Sequence, residues 1–371
     1  MKPTSNICLA WLSLCLSLAG VTAQAAARYN IVEIGVGTSA NAINGSGQIA
    51  GDVSDSVGTP QAFLYTNGAL TMLGTLGGAE STGSAINDHG NVVGMSTTAD
   101  NSRRAYLYSA GGMTDLGTLG GNEAMALGIN NAGQIVGSAA NGEGYFHAFR
   151  YTSGAMQDLG TLGGSVSNAF DINRHGQVVG NASVSDEFRW THAFMYDNTG
   201  MRDLGTFGGN YSAAWSVNDA GHAVGYAATT DNAADHAFLY AGGVMHDLGT
   251  LGGTYSFASG INNRNQVVGN SNVPGDAGSH AFLYADGSMT DLNSLIDPAS
   301  GWTILHASDI NDHGQIAATG CRAGECVALR LDLAVTAVPE PSVWATLLCG
   351  LAVLMMSLWT HRAPPGFRAH G

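Results

Sequence analysis

The sequence predicts an all-β protein, a seven-bladed β-propeller of four-stranded repeats about 43 residues long. Each repeat contains four short β-prone runs separated by turn residues, which is the strand count of a propeller blade. The last repeat lacks its fourth run, and a spare run precedes the first repeat. The repeats are marked by an Ile-Asn or Val-Asn dipeptide that ends at Asn44, Asn87, Asn130, Asn173, Asn218, Asn262 and Asn311.

One repeat illustrates the four runs, which we name a to d. Run a covers 169–173, run b 177–180, run c 192–196 and run d 201–205. The a–b connection begins with Asn and has Gly three residues later, which is typical of a type I turn. None of the runs is long enough for an ordinary helix. The connections b–c and d–a lie on one face of an up-and-down blade, and this face is the expected binding surface.

The spare N-terminal run, 29–35, matches run d and is expected to complete the last blade. Its residues 32–35 should pair with 326–331, with Glu33 opposite Cys326. Such closure removes the two open sheet edges of a linear array. A β-solenoid is the alternative, and it would need a cap at each end instead of complementary half-blades.

The two ends of the chain are predicted to be targeting segments that flank the propeller at 29–333. Residues 1–25 fit a signal peptide, because a lysine precedes an apolar stretch and Ala23-Gln24-Ala25 offers a cleavage site. A membrane anchor is the alternative for this segment. Residues 343–359 form a second apolar stretch, which predicts a transmembrane helix. The linker 334–342 precedes it, and the basic tail 360–371 is expected in the cytoplasm.

The motif Pro339-Glu340-Pro341, followed by an apolar span and arginines, resembles the PEP-CTERM sorting signal of Gram-negative bacteria. The resemblance implies export through the inner membrane and a sorting partner of the exosortase type, a membrane enzyme that recognises the tail. The C-terminal helix would then hold the chain in the membrane until processing. Many members of that family belong to bacteria that make exopolysaccharide, so polysaccharide or another envelope protein is an expected partner.

The repeat words resemble the HAF-repeat family of bacterial extracellular proteins over residues 29–333. The family is named for the tripeptide His-Ala-Phe, which begins here at His147, His192, His236 and His280. The resemblance implies an extracellular or cell-surface location and a repeat architecture. It implies no particular activity.

The charge of the chain excludes several classes of function. Residues 26–338 carry 10 arginines and 27 acidic residues, a net charge of −17, and Lys2 is the sole lysine. A nucleic-acid partner is excluded because no basic surface can form. Because Lys2 lies in the predicted signal peptide, the mature chain would have no lysine. Schiff-base chemistry, a P-loop and a Ser-Lys nucleophile pair all need lysine and are therefore excluded.

An aspartate follows each of the four HAF histidines by eleven residues: His147 with Asp158, His192 with Asp203, His236 with Asp247 and His280 with Asp291. We expect these pairs to face each other across the c–d hairpin in a structural role, with Phe149 likewise opposite Met156. A catalytic dyad or metal cluster is the alternative, but copies spread around a ring cannot converge on one substrate. Cys321 and Cys326 are expected to form a disulfide, and no metal or cofactor is expected.

The most distinctive loop contains Asp186, Glu187, Phe188, Arg189 and Trp190, which could stack on a sugar and bind its hydroxyls. Packing between adjacent loops is the alternative for this segment. Trp215 lies in a run a, and we expect it in the core. The function expected is a non-catalytic binding or matrix-scaffold role at the cell envelope. The alternatives are a secreted glycan-processing enzyme, which needs two or three convergent carboxylates, and a matrix filler without a specific ligand.

The targeting segments predict two processed ends. Mass spectrometry of the exported protein should find no peptide N-terminal to about Ala26 and none spanning residues 341–371, because both segments would have been removed. An intact C-terminal tail on mature surface protein would contradict the sorting prediction.

Overall fold

The computed structural model describes residues 28–54, 58–185 and 190–334, and these form seven four-stranded antiparallel sheets. The prediction of a seven-bladed propeller is therefore confirmed. The signal peptide, most of the linker, the Pro-Glu-Pro motif, the apolar stretch 343–359 and the tail lie outside the described residues. Within the described ranges, no helix has the length and apolar character needed to cross a membrane.

The strands follow one another blade by blade. Blades one to three contain β2 (Thr38–Ile43), β3 (Ile49–Ser54), β4 (Pro60–Thr66) and β5 (Ala69–Met72); β6 (Gly77–Ile86), β7 (Val92–Thr98), β8 (Arg103–Ser109) and β9 (Gly112–Asp115); and β10 (Gly120–Ile129), β11 (Ile135–Asn141), β12 (Phe146–Thr152) and β13 (Ala155–Asp158). Blades four to six contain β14 (Ser167–Ile172), β15 (Val178–Ser183), β16 (Thr191–Asp197) and β17 (Gly200–Gly205); β18 (Gly208–Val217), β19 (Ala223–Thr229), β20 (Asp235–Ala241) and β21 (Val244–Asp247); and β22 (Ser256–Ile261), β23 (Val267–Asn272), β24 (Ser279–Ala285) and β25 (Ser288–Asp291). Blade seven contains β26 (Thr303–Ile310), β27 (Ile316–Arg322), β28 (Glu325–Leu333) and β1 (Tyr29–Val36). Short 3-10 helices cover Thr230–Asn232, Pro274–Asp276, Leu292–Leu295 and Pro298–Ser300.

Strand β1 closes the ring by pairing with β28, which is the last strand in the described part of the chain. Ile31 lies opposite Leu331, 300 positions away. This long-range pairing is the closure expected of a propeller, and a solenoid does not contain it. The expected register was wrong, however, because Glu33 lies opposite Leu329 and not opposite Cys326. A β-bulge between Glu33 and Gly35 shifts the pairing, and Glu33 instead accepts a hydrogen bond of 2.8 Å from the Arg322 guanidinium.

The register of the outer hairpins also differs from the prediction. In blade three, Phe149 lies opposite Asp158, and Met156 lies opposite Tyr151. The reason is the turn, since Ser153 and Gly154 both have positive φ, 52° and 87°. Two residues with positive φ make the type I′ loop that suits the twist of a hairpin, and that loop places the strands one pair further along than expected.

Each inner strand contains a β-bulge, and in blades one to six the neighbouring strand accommodates it with a glycine, whereas blade seven has Ala318 at this position. In blade three the register shifts between Ala126 and Gly128. The bulge brings the Met125 carbonyl so close to β11 that a Cβ on Gly137 would lie 2.0 Å from the Met125 oxygen. Gly51 of blade one has the same constraint, at 1.9 Å from the Ser39 oxygen. Glycine in run b of blades one to six is therefore a steric requirement of the bulge.

The blades pack through apolar side chains that alternate with the pleat of each strand. Fully buried phenylalanines of the c strands occupy the blade interiors, at Phe63, Phe149, Phe194, Phe238 and Phe282. They pack against aliphatic residues of their own and of the preceding blade, as Phe149 of blade three packs with Ile129 of the same blade and Val93 of blade two in one buried cluster. The core is thus a series of contacts between neighbouring blades around the ring.

A closed ring of asparagine side chains, which we call the asparagine belt, joins all seven blades at the ends of the inner strands. Each Nδ2 donates to the backbone carbonyl of the equivalent asparagine in the next blade, at distances of 2.9 to 3.2 Å. The bond from Asn311 to the Asn44 oxygen completes the circle. Each Oδ1 also accepts backbone N–H groups of its own turn, as Asn130 does from Ala132 and Gln134.

The belt predicts a large cost for losing one member. Asn130 is 5% exposed, so Asn130→Ala should lower the free energy of unfolding by about 2–4 kcal/mol, because buried groups of the turn and of blade four lose their partner. Chemical denaturation would measure this, with Asn122→Ala, an exposed position on the same blade, as the control. Equal stability of the two variants would show that the belt does not hold the blades together.

Candidate active site

The inner strands enclose a cavity of about 510 Å³ in the central channel. Its wall is formed mainly by the bulged segments of these strands, because the bulge turns a side chain toward the propeller axis. The residues at this bulge position are Asn41, Ser84, Leu127, Phe170, Trp215, Ser259 and Ser308. The remaining lining includes Tyr226, Phe257, Asn270 and His306.

An aromatic platform lies on one side of the cavity. The rings of Phe170 and Trp215, from adjacent blades, are stacked with centroids 4.3 Å apart and planes 11° from parallel. Trp215 is 44% exposed, so the prediction that it belongs to the core was wrong. Its position in the bulge explains the difference, since the side chain points into the channel and not between two sheets.

A second aromatic group lies beside the platform. Tyr226 meets Phe257 edge-to-face at 5.0 Å, and Tyr211 meets Tyr226 at 6.4 Å. The Tyr211 hydroxyl donates to Asp235. Burial, together with the nearby Asp235 carboxylate, raises the pKa of both tyrosines, so both remain protonated hydrogen-bond donors.

Two aspartates, Asp171 of blade four and Asp309 of blade seven, line the same cavity. Each carboxylate bridges two blades, because one oxygen accepts the N–H of the following residue and the other accepts an N–H of the next blade. Asp309 accepts from Ile310 at 2.8 Å and from Ile43 at 2.9 Å. Asp171 accepts from Ile172 and Val217, and also from the Ser216 hydroxyl at 2.9 Å.

Burial raises the pKa of both carboxyls because it disfavours their charged forms. For Asp309 the pKa reaches about 6; the N–H bonds from Ile43 and Ile310 oppose the rise, and the negative charge of Asp171 adds to it. A carboxylic acid with such a pKa can hold and release a proton near neutral pH, which suits general acid catalysis.

His306 lies on the same strand as Asp309. Its Nε2 is 3.4 Å from the Ser259 hydroxyl and its Nδ1 is 3.3 Å from the Ser308 hydroxyl. Burial lowers the pKa of His306, so the imidazole is neutral at pH 7. Among the described residues, no group of three His, Cys, Asp or Glu side chains is arranged to hold a metal ion.

Asp171 and Asp309 were not among the predicted site residues, because they lie in inner strands and not in the variable loops. Their signal is a break in the repeat immediately before the Ile-Asn or Val-Asn dipeptide. At this position the seven repeats carry Ala42, Ala85, Gly128, Asp171, Ser216, Gly260 and Asp309. Only blades four and seven have an acid there, and the two are 138 positions apart in sequence.

The loop predicted to bind a ligand is only partly described. Asp186, Glu187, Phe188 and Arg189 lie outside the described residues. Trp190 is 45% exposed on the b–c connection of blade four, and it does not line the channel cavity.

The structure pairs each HAF histidine with its aspartate in the outer part of a separate blade. The distances from Nδ1 to Oδ2 are 2.7 to 2.8 Å in all four pairs. In each pair the aspartate also accepts a backbone N–H two residues on, as Asp203 does from Gly205. Blade two replaces the histidine by Arg104, which lies 3.6 Å from Asp115. Because the pairs belong to different sheets, they do not form one site.

Cys321 and Cys326 form a disulfide that joins β27 to β28 across their hairpin. Beside it, the Arg322 guanidinium lies 4.4 Å from the centre of the Trp302 ring. These contacts hold the edge of blade seven, where the ring is closed, and they lie apart from the cavity.

No protein-family model matches the chain, and no curated protein is significantly similar to it. Among solved structures, a puromycin-hydrolysing peptidase of Mycobacterium tuberculosis aligns over 81% of this chain and 52% of its own, with 11% identity and a TM-score of 0.53. A gluconolactonase of Xanthomonas campestris aligns over 84% and 93%, with 12% identity and a TM-score of 0.43. TolB of Acinetobacter baumannii aligns over 77% and 65%, with 11% identity and a TM-score of 0.39.

The comparison corrects the expectation of a non-catalytic binding or scaffold role. The chain shares its propeller fold with a protein that is an enzyme, so the fold gives no ground for expecting a non-catalytic role. An identity of 11% shows the fold alone, and the chemistry of this chain therefore has to be argued from its own cavity.

The outer pairs predict a pH-dependent contribution to stability. Partial burial alone would raise the pKa of Asp203, but the hydrogen bonds from His192 and Gly205 outweigh it and hold the pKa below its ordinary value of 3.8. A lowered pKa in the folded chain stabilises it above pH 3.8 and loses this effect as the pH falls. Asp203→Ala should therefore lower the free energy of unfolding at pH 7 by about 1–2 kcal/mol.

This difference should shrink in acid. Denaturant unfolding at neutral and acidic pH would measure it, with Glu143→Gln, an exposed acid without a hydrogen bond from His, as the control. A difference that stays constant down to low pH would argue against the ionic pairing.

Proposed function

We propose that this protein is an exported glycan-processing enzyme, a hydrolase of glycosidic bonds whose active site is the channel cavity. The observation that carries the proposal is the convergence of Asp171 and Asp309 on one cavity beside an exposed tryptophan. Most glycosidases use two carboxyl groups, one on each side of the glycosidic bond that is broken. The cavity supplies the convergent acids that the repeat loops do not.

The aromatic platform serves to bind the sugar. The exposed face of Trp215 offers a flat apolar surface on which the C–H face of a pyranose can stack. Around it, the polar side chains of Asn41, Asn270 and Ser84 can bond to hydroxyl groups. An apolar surface with a few polar groups at its margin is typical of small-ligand sites.

The two aspartates take different roles because their environments differ. We assign the general acid to Asp309, whose raised pKa of about 6 keeps part of the carboxyl protonated near neutral pH. We assign the base to Asp171, whose carboxylate accepts a third hydrogen bond, from Ser216, which opposes the rise that burial causes in its pKa. In the reaction, the proton of Asp309 passes to the glycosidic oxygen as its bond to the anomeric carbon breaks. A water oxygen bonds to that carbon, and its proton passes to Asp171.

We also propose that the enzyme acts outside the cytoplasm. The signal-like N-terminal segment, the PEP-CTERM-like tail and the HAF-like repeats support this proposal, with an exosortase-type enzyme as the partner that recognises the tail. Extracellular polysaccharide would then be its substrate.

The proposal predicts that the purified protein releases reducing ends from at least one polysaccharide in a panel of neutral, amino and acidic glycans. Asp309→Asn and Asp171→Asn should each lower kcat/KM by about 100-fold or more, because each removes a proton transfer. The matched control is Asp286→Asn, which removes an exposed acid from an outer hairpin of blade six, at a positive φ that asparagine also adopts.

The pH profile gives a second readout from the same experiment. Because Asp309 must carry its proton, kcat/KM of the wild type should fall as the pH rises above about 6. Absence of hydrolysis across the panel, or variants at Asp171 and Asp309 as active as the control, would overturn the assignment.

A further inference from the structure

We propose that the channel cavity selects glycans that carry protonated amino groups, such as glucosamine units, and that it excludes acidic sugars. This inference rests on the proposed function only in taking the cavity as a glycan site. It names the substrate class, and binding alone can test it.

The charge of the cavity wall is the first argument. Asp171 and Asp309 line the cavity, and within the described part of the chain no lysine or arginine lines it. A third carboxyl, Asp52, accepts a hydrogen bond of 2.9 Å from the Asn41 amide on the same wall. The carboxylate of a uronic acid would be repelled by these acidic side chains, whereas an ammonium group would be attracted to them.

The histidine on the wall does not change this balance. His306 is the one basic side chain among the lining residues. Burial lowers the pKa of His306, so the imidazole carries no positive charge at neutral pH. The fixed charge of the cavity is therefore negative or zero.

The carboxylates keep free acceptor capacity for a ligand. An ionised carboxylate has about four acceptor sites. Asp309 accepts two backbone N–H groups, and Asp171 accepts two backbone N–H groups and one hydroxyl. An ammonium group has three N–H donors, and it can bond to the remaining lone pairs without displacing the contacts between blades.

The aromatic side chains add a second attraction for a cation. Trp215, Tyr226 and Phe257 all line the cavity, and the face of an indole attracts an ammonium group more strongly than other aromatic rings do. The same rings stack on the apolar faces of sugars, so an amino sugar satisfies both features of the wall. The net charge of residues 26–338, −17 with the cavity aspartates included, also attracts a polycation and repels a polyanion.

The test compares three ligands of one length on the full-length protein: a tetramer of glucosamine, its N-acetylated neutral counterpart and a tetramer of galacturonic acid. Isothermal titration calorimetry at low salt should show the glucosamine tetramer binding at least about 10-fold more tightly than the neutral one. The galacturonic acid tetramer should not bind measurably. The preference should weaken at high salt, because salt screens the ionic part of the interaction.

Variants locate the preference. Asp309→Asn and Asp171→Asn should each reduce the ratio of the two affinities while neutral binding persists, and Asp286→Asn should leave the ratio unchanged. The comparison of ligands on the wild type needs no variant, so loss of folding in either one does not block the test. Equal affinity for the amino and neutral tetramers, or tighter binding of galacturonic acid, would overturn the inference.

The outcomes separate this inference from the proposed function. Hydrolysis of neutral glycans without a preference for amino sugars would contradict the substrate class and leave the hydrolase standing. Preferential binding of the glucosamine tetramer without hydrolysis of any glycan would support the substrate class and contradict the hydrolase.

Discussion

Seven asparagines, one at the end of each inner strand, carry the hydrogen bonds on which this propeller depends. At that end seven polar turns meet around one axis, where their buried N–H and carbonyl groups need partners. Each asparagine satisfies its own turn through Oδ1 and the next blade through Nδ2, so turn geometry and blade spacing are coupled in one side chain. The bond from Asn311 to Asn44 makes the chain of contacts circular, and strand β1 makes the sheets circular in the same place.

The bulge of the inner strand connects this architecture to chemistry. The bulge requires glycine in the neighbouring strand of most blades. It also turns one side chain per blade toward the propeller axis. The seven repeats together thus present a ring of seven side chains toward the channel. These side chains are free to differ because they do not pack in the interior between blades. Serine occupies three of the seven positions, at Ser84, Ser259 and Ser308, whereas Phe170 and Trp215 form an aromatic platform.

Asp171 and Asp309 join neighbouring blades through hydrogen bonds, and the proposed function assigns the same two carboxyl groups a role in catalysis. Each takes up N–H groups at a junction between blades, which holds the carboxyl at a defined place in the wall. Burial then raises the pKa of each carboxyl, as expected for a charge taken out of water. The His–Asp pairs contrast with them, since the Asp203 carboxylate is half-exposed and its pKa is lowered by its partners. The outer pairs therefore stabilise blades, whereas the inner carboxyls are the groups to which the proposed function assigns proton transfer.

The repeat length, the number of strands in a repeat, the seven blades and the closing strand could all be predicted from the sequence. The reason is that turn residues and apolar alternation are local patterns, and they recur at a nearly constant spacing. The eleven-residue interval between each HAF histidine and its aspartate predicted the contact between their side chains. Tertiary structure alone decided the hairpin register, since positive φ at Ser153 and Gly154 sets the loop, and it decided the exposure of Trp215. It also decided the candidate site: Asp171 and Asp309 are 138 positions apart in sequence and line one cavity only because the closed ring points both bulged strands at one axis.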